Sequence, residues 1–261
     1  MLMYHPIVAV TGDAVPLPLR LMADPVRWRL LRELAGGDLR VRELVAATGE
    51  AQNLVSYHLR RLRSGGLVTA RRSSFDGRDT YYSLDLAGCA HALAGAGAAV
   101  HPGLASAGRL PVDGSDTGPR PRRVLFVCTG NSGRSPMAAA LLRNSAAPWA
   151  RATSAGTRPR PLHPAAAAVL RDRYRIDISS HRPAPVAAVA GDPFDYVISL
   201  CDKAREACPE FAGSPQRVHW SLPDPAAGVD TPGAVYARFD RLATELNTRI
   251  RFLLPVLAEA G

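Results

Sequence analysis

Lysine is nearly absent from this chain: Lys203 stands alone against 31 arginines. With abundant alanine, this reads as compositional bias of the source and not as a functional signal. No uninterrupted apolar run reaches roughly 18 residues, which excludes a membrane-spanning helix. The start lacks a basic region followed by an apolar core, so no secretory signal is expected and the cytoplasm is the expected location. Cysteine is sparse, at Cys89, Cys128, Cys201 and Cys208. In a cytoplasmic chain these four argue against a disulfide framework and for reactive or metal-binding roles. No internal repeat is visible. The 261 residues favour two domains over one. The net charge is +9, with 14 basic and 11 acidic side chains in residues 1–120 and 18 and 12 in the remainder. That balance permits anionic partners without demanding nucleic acid.

The segment "PGLASAGRLPVDGSDTGPRP", residues 102–121, is rich in Pro, Gly, Ser and Asp and has no periodicity. It reads as a linker spanning roughly 25 Å as a flexible coil. It separates an expected first domain, 1–101, from a second, 122–261.

Before the linker the spacing is mostly helical. "DPVRWRLLRELAGG" carries Val26, Leu30, Leu31 and Leu34 at helical intervals, with Asp24 as N-cap and Gly36 as stop. "VRELVAATG" predicts a short helix closed by Gly49, and "AQNLVSYHLRRLRSGG" another with Val55, Leu59 and Leu62 on one face. "GLVTARR" and "TYYSLDL" alternate like strands around the turn signal Asp76-Gly77. This order predicts a mainly α winged helix-turn-helix. "LAGCAHALAGAGAAVH" follows as a small-residue helix of the kind that packs closely on a partner helix.

After the linker, aliphatic strands alternate with helices: "RVLFV", "ARATS", "DYVISL" and "RVHWSL" each precede a helical stretch. The pattern predicts an α/β domain with a four-stranded parallel sheet covered on both faces. Its first strand ends at Cys128 and runs into the small, turn-tolerant residues Thr129, Gly130, Asn131, Ser132 and Gly133 before a helix begins at Arg134. A loop wound there aims successive backbone N–H groups and a helix N-terminus at one point, which suits a tetrahedral oxyanion. The same positive field favours a thiolate nucleophile at Cys128. The Arg134 fork can take two anion oxygens, and Gly130 and Gly133 are expected to supply positive φ angles and close approach.

"VLFVCTGNSGRSPMA" resembles the loop of the low-molecular-weight protein tyrosine phosphatases and of the arsenate reductases built on the same fold. The likeness runs over 122–258, with "SAGT" at 154–157, "HP" at 163–164, "DISSHRP" at 177–183 and "DP" at 224–225. The resemblance implies that Cys128 is the nucleophile, Arg134 the anion binder, Ser135 a thiolate-stabilising hydroxyl and Asn131 a loop organiser. It implies Asp224 as general acid, and Asp224 also follows a strand that should end at the same sheet edge as Cys128. "VISLCDKAREACPEF" places Cys201 and Cys208 seven positions apart, as in the thioredoxin-coupled arsenate reductases. A phosphatase needs no further thiols; a reductase needs one to relieve arsenylated Cys128 and another to pass the oxidation to a thioredoxin-like reductant. Pro136 is the residue phosphatases usually carry. Ala139 replaces the Glu of the potassium-binding reductases, so that ion is not expected. Gly133 replaces a second loop cysteine common in both groups. "DPAAG" lacks the tyrosines that line many phosphatase clefts. No cofactor is expected.

Residues 14–100 resemble the ArsR-type repressors, which are dimeric winged-helix proteins, through "LMADPVRWRLLREL", "QNLVSYHLRRLRSGGLV" and "RDTYYSL". With Val55, Leu59 and Leu62 inward, Gln52, Asn53, Ser56, Tyr57 and Arg60 face outward and would enter the major groove of an operator. Arg71, Arg72 and Arg78 would then meet phosphates. The family's Cys-x-Cys arsenite site is replaced here by "DLRVREL". Cys89, His91 and His101 could supply metal ligands across a dimer, but packing and surface roles are the commoner use of such residues, and no metal is expected. The chain therefore reads as a homodimeric DNA-binding regulator fused to a cysteine-dependent arsenate reductase. The alternatives are a tyrosine phosphatase fused to a repressor, a repressor whose second domain only binds oxyanions, and an enzyme whose first domain only dimerises.

Overall fold

The computed structural model describes residues 15–75, 77–101, 104, 121–146, 150–228 and 231–259. They form two compact units, one from the described residues within 1–70 and 81–111, the other from those within 71–80 and 112–261. The linker expected at 102–121 lies, apart from Leu104 and Pro121, outside the described residues.

The described residues before position 102 run α1 (Leu17–Met22), α2 (Pro25–Ala35), β1 (Leu39–Arg40), α3 (Val41–Thr48), α4 (Gln52–Ser64), β2 (Val68–Arg72), β3 (Thr80–Leu84) and α5 (Leu86–Val100), with residues 71–80 of the hairpin belonging to the second unit. The helix boundaries follow local chemistry. The Asp24 carboxylate accepts from the amides of Val26 and Arg27, and Pro25 occupies the first helical position, where no N–H is needed. The Glu43 carboxylate accepts from the Arg40 amide at 2.8 Å. Gly49 ends α3 at φ +71, the left-handed region in which glycine carries no Cβ penalty. The periodic apolar residues meet as the core: Leu30, Leu34, Leu44, Val55, Leu59 and Leu62 are all buried. Each contributes about 1.5–3 kcal/mol relative to exposure. β1 pairs antiparallel with β3, and the sheet order is β1-β3-β2. Neither α1 nor β1 is expected from periodicity, because six and two residues are too short to show a period. Of the expected turn pair, Gly77 has φ +67, and Asp76 lies outside the described residues.

The second unit contains β4 (Arg122–Cys128), α6 (Arg134–Ala146), β5 (Ala150–Gly156), α7 (Pro164–Tyr174), β6 (Tyr196–Ser199), α8 (Asp202–Glu206), β7 (Gln216–His219) and α9 (Pro232–Glu259). The four strands are parallel, in the order β5-β4-β6-β7. In β4 five consecutive residues, Val124 to Cys128, are buried. Neighbouring side chains point to opposite faces, so both faces are covered there. α6 packs on β4, β5 and α9, with Ala138, Ala139 and Ala140 allowing close approach. β4 lies between β5 and β6, so its carboxyl end faces loops from both neighbours.

The helical stretch expected after the strand "DYVISL" is short. α8 covers only Asp202–Glu206, with Cys201 extended before it (φ −160, ψ 153) and Cys208 beyond its end. Five residues make one closed turn, and Pro209 cannot donate a backbone bond to extend it. Among the described residues no helix is long and apolar enough to cross a membrane.

Candidate active site

The loop 128–134 takes its shape from the segment that follows β5. The amides of Thr157, Arg158, Arg160 and His163 donate to the carbonyls of Cys128, Thr129, Gly130 and Ser132 at 2.8–3.1 Å. Within a peptide unit the N–H points opposite to the C=O. Turning four loop carbonyls outward therefore turns the amides of Thr129, Gly130, Asn131 and Gly133 inward. The Asn131 amide donates to Cys128 Sγ at 3.2 Å, and Ser135 Oγ lies 3.0 Å from the same sulfur. Cys128 is buried at the N-terminal end of α6, where donors and the helix field favour negative charge.

The positive φ expected at Gly130 and Gly133 is found instead at Asn131, φ 46. At the two glycines space is tight: a Cβ on Gly130 would stand 2.7 Å from Ser132 Oγ, and one on Gly133 3.0 Å from the Phe239 ring. Asn131 tolerates its backbone because its side chain is held on every side. Its Nδ2 donates to Ser135 Oγ and Ser154 Oγ, both at 2.9 Å, and its Oδ1 accepts from the Ala184 amide at 2.9 Å. His181 Nε2 lies 3.1 Å from the Asn131 carbonyl, and burial pushes its pKa down. Ser154 and His181 fall inside the motifs "SAGT" and "DISSHRP", but no local pattern assigns them this bracing role.

Arg134 is buried and donates from Nη1 to the Leu222 carbonyl at 3.1 Å, while its other terminal nitrogen lies 3.8 Å from Asp224 Oδ2. Asp224 is exposed and accepts from the Ala226 amide at 3.1 Å. Cys201 is buried, with Sγ 3.3 Å from Thr129 Oγ1. Cys128, Arg134, Cys201 and Asp224 line one cavity together with Gly130, Ser132 and Gly133. Cys208 stands apart from that cavity, half-buried; burial raises its thiol pKa, and the Arg217 charge opposes the rise.

In the first unit, Gln52, Asn53, Tyr57 and Arg60 are exposed along α4 and Ser56 is half-exposed, while Val55, Leu59 and Leu62 are buried. In the hairpin residues 71–80, which belong to the second unit, Arg72 and Arg78 are exposed and Arg71 is half-exposed, its Nε donating to the Ser221 carbonyl at 2.7 Å and its guanidinium 3.4 Å from Asp202. Cys89 Sγ lies 3.5 Å from the Leu67 carbonyl, and burial, with Asp85 nearby, pushes its thiol up to about 11. A neutral thiol is a poor metal ligand. Among the described residues no group of three His, Cys, Asp or Glu side chains is arranged to hold a metal.

Several known proteins are similar to this chain. An arsenate reductase of Halalkalibacterium halodurans is 31% identical over 53% of this chain and 96% of its own length. The arsenate reductase of Bacillus subtilis is 30% identical over 49% of this chain and 91% of its own. A solved arsenate reductase in its oxidised state is 28% identical and covers 52% of this chain and 98% of its own, with a TM-score of 0.46. Residues 24–70 match the model of bacterial regulatory proteins of the arsR family, so an ArsR-type helix-turn-helix precedes the α/β unit. Residues 123–260, more than half of the sequence and the whole of the thiol–arginine site, match the low molecular weight phosphotyrosine protein phosphatase model, and the chain belongs to that family.

Proposed function

We propose that this protein is a DNA-binding regulator (1–101) joined by a linker (102–121) to a thiol-dependent arsenate reductase (122–261). One observation carries the reductase reading. A second buried thiol, Cys201, stands 3.3 Å from the hydroxyl of Thr129, the residue after Cys128, and a third, Cys208, lies just past a five-residue helix. A phosphatase has no use for that series.

In this reading the inward amides from Thr129 to Gly133, with Arg134 and Ser135, bind arsenate as an oxyanion. The Cys128 thiolate attacks arsenic, and Asp224 protonates the departing oxygen. The Cys201 thiolate then attacks Cys128 sulfur. The S–S bond forms as the S–As bond breaks, the electron pair leaves on arsenic, and As(V) departs as arsenite. Cys208 attacks Cys201 in turn, forming a second disulfide and returning Cys128 as thiolate. Thioredoxin or a similar dithiol reduces the Cys201–Cys208 bond. The relay needs thiols kept reduced, which fits a cytoplasmic location.

The exposed face of α4 supports operator binding through Gln52, Asn53, Ser56, Tyr57 and Arg60, with Arg72 and Arg78 on phosphates, while the Arg71 guanidinium is engaged by Ser221 and Asp202. The small-residue helix α5, with Leu93 and Val100 exposed, supports a homodimer. The second reading, a tyrosine phosphatase fused to a repressor, is favoured by Pro136 after Ser135. Assaying the full chain side by side on arsenate with thioredoxin and on an aryl phosphate tests the two. Arsenite release dependent on thioredoxin is expected; aryl phosphate turnover without arsenate reduction would select the phosphatase.

A further inference from the structure

Asp202 is a fully buried acid that the thiol relay does not use, and it follows Cys201 directly in the chain. It opens α8, where negative charge is favourable at a helix N-terminus. That benefit is available to an exposed aspartate and does not explain burial. A helix of five residues has almost no stability of its own in water, so other contacts must hold it.

Those contacts are concentrated at one end. Ser221 Oγ donates to Asp202 Oδ1 at 2.5 Å, and His219 Nε2 lies 3.1 Å from the same oxygen. The other ring nitrogen of His219 lies 2.8 Å from Ser199 Oγ and 3.2 Å from the Ser199 carbonyl. One imidazole thus spans Ser199 and Asp202, and Cys201 sits in the extended turn between them. Burial alone would push the Asp202 pKa up; the bonds from His219 and Ser221, the Ser74 amide at 2.6 Å and the Arg71 charge together outweigh it and hold the carboxyl well below the usual range, ionised at neutral pH. Ser221 is followed by Leu222, whose carbonyl accepts from Arg134, and then by Asp224. The far end of the segment is held differently: Arg217 donates to the Pro209 carbonyl at 3.0 Å in an exposed bond, and its guanidinium lies 5.9 Å over the Phe211 ring.

Ser199, His219 and Asp202 have the composition of a hydrolytic triad. All three are buried, at 7%, 6% and 0% exposure, so no substrate reaches the serine. The group is a clamp.

We propose that Asp202 is a positioning residue of the thiol relay, clamping the Cys201 end of the segment to the strand end that leads to Arg134 and Asp224 while the Cys208 end swings. This rests on the reductase reading. Cys201 keeps its place beside the oxyanion loop during its attack on Cys128, and only the more exposed residues 205–210, between the buried Ala204 and Phe211, rearrange to deliver Cys208.

The test uses the full chain with Asp202→Asn, and Ser221→Ala as a second variant that removes the Ser221 donor to Asp202 together with the Arg71 bond to the same hydroxyl. In a Cys208→Ser background, one equivalent of arsenate is added and the Cys128–Cys201 disulfide is timed by mass spectrometry. Inorganic phosphate affinity is measured in parallel, as is iodoacetamide labelling of Cys128 and Cys201. Loss of the clamp should slow the disulfide step on the order of 10²-fold, as for a misplaced reacting group. It should also expose Cys201 to alkylation, with phosphate affinity and Cys128 labelling within about twofold of the parent. Unchanged Cys201 protection in both variants overturns the proposal. So does a parallel fall in phosphate binding, Cys128 labelling and melting temperature, which is the signature of a merely structural group. If the parent forms no disulfide with arsenate, the reductase reading fails, and Cys201 protection still decides the clamp.

Discussion

Gly156→Ala is expected to damage the oxyanion loop from outside it. Gly156 ends β5 beside Cys128, and a Cβ there would stand 2.8 Å from the Asn131 amide nitrogen. It would also stand 2.9 Å from both Asn131 Cβ and the Thr129 carbonyl oxygen. Carbon contacts relax at about 3.5 Å, so the loop must retreat by roughly 0.6 Å. The colliding atoms are backbone or Cβ, and no rotamer change relieves them. Overpacking of this kind costs about 1–3 kcal/mol. Misplacement of about 1 Å costs on the order of 10²-fold in rate, so about tenfold is expected here. Inorganic phosphate affinity by calorimetry and the Cys128 alkylation rate should both fall. Gly133→Ala makes the comparison, since its Cβ meets only the edge of the Phe239 ring, at 3.0 Å, and should be milder. Parental phosphate affinity in Gly156→Ala, or a larger loss in Gly133→Ala, would refute the reasoning.

Cys208→Ser should allow at most one turnover on arsenate, trapped as a Cys128–Cys201 bond; repeated turnover with thioredoxin would remove the relay. Asp224→Asn should lower the rate on substrates with poor leaving groups by about 10²–10⁴-fold, as for a lost general acid, read from a leaving-group series. Cys89, with its thiol pushed up to about 11, should resist iodoacetamide at pH 8 and react as the pH approaches that value. The folded state holds this proton more tightly than the unfolded chain, so the stabilisation is complete below about pH 8.5 and is lost as the pH rises through the folded value. Denaturant melts of the parent and Cys89→Ser at pH 8 and pH 11 should differ accordingly. Arg72→Ala should weaken binding to all DNA sequences alike and reduce the salt slope, whereas Gln52→Ala should alter base preference; a competition assay at two salt concentrations separates them.

What sequence alone determined here is whatever depends on neighbours along the chain. The caps at Asp24 and Gly49, the leucine faces of α2 and α4, and the alternation of strands and helices after the linker are written in local spacing. So is the run from Cys128 through small residues to Arg134, because a strand, a tight loop and a helix start need those residue types in that order. The tertiary structure decided what depends on residues brought from elsewhere. It moved the positive φ from the two loop glycines to Asn131, because Ser154 and Ala184 arrive from distant segments to hold that side chain and His181 meets its backbone carbonyl. It gave Gly156 a reason, the loop lying against it, and ended α8 after five residues between its two cysteines. It also drew Ser199, Asp202, His219 and Ser221 into one buried cluster from two strands and the turns beyond them. Periodicity reports which face of an element is buried, but a hydrogen bond between elements depends on register and crossover, and those are set only when the sheet closes.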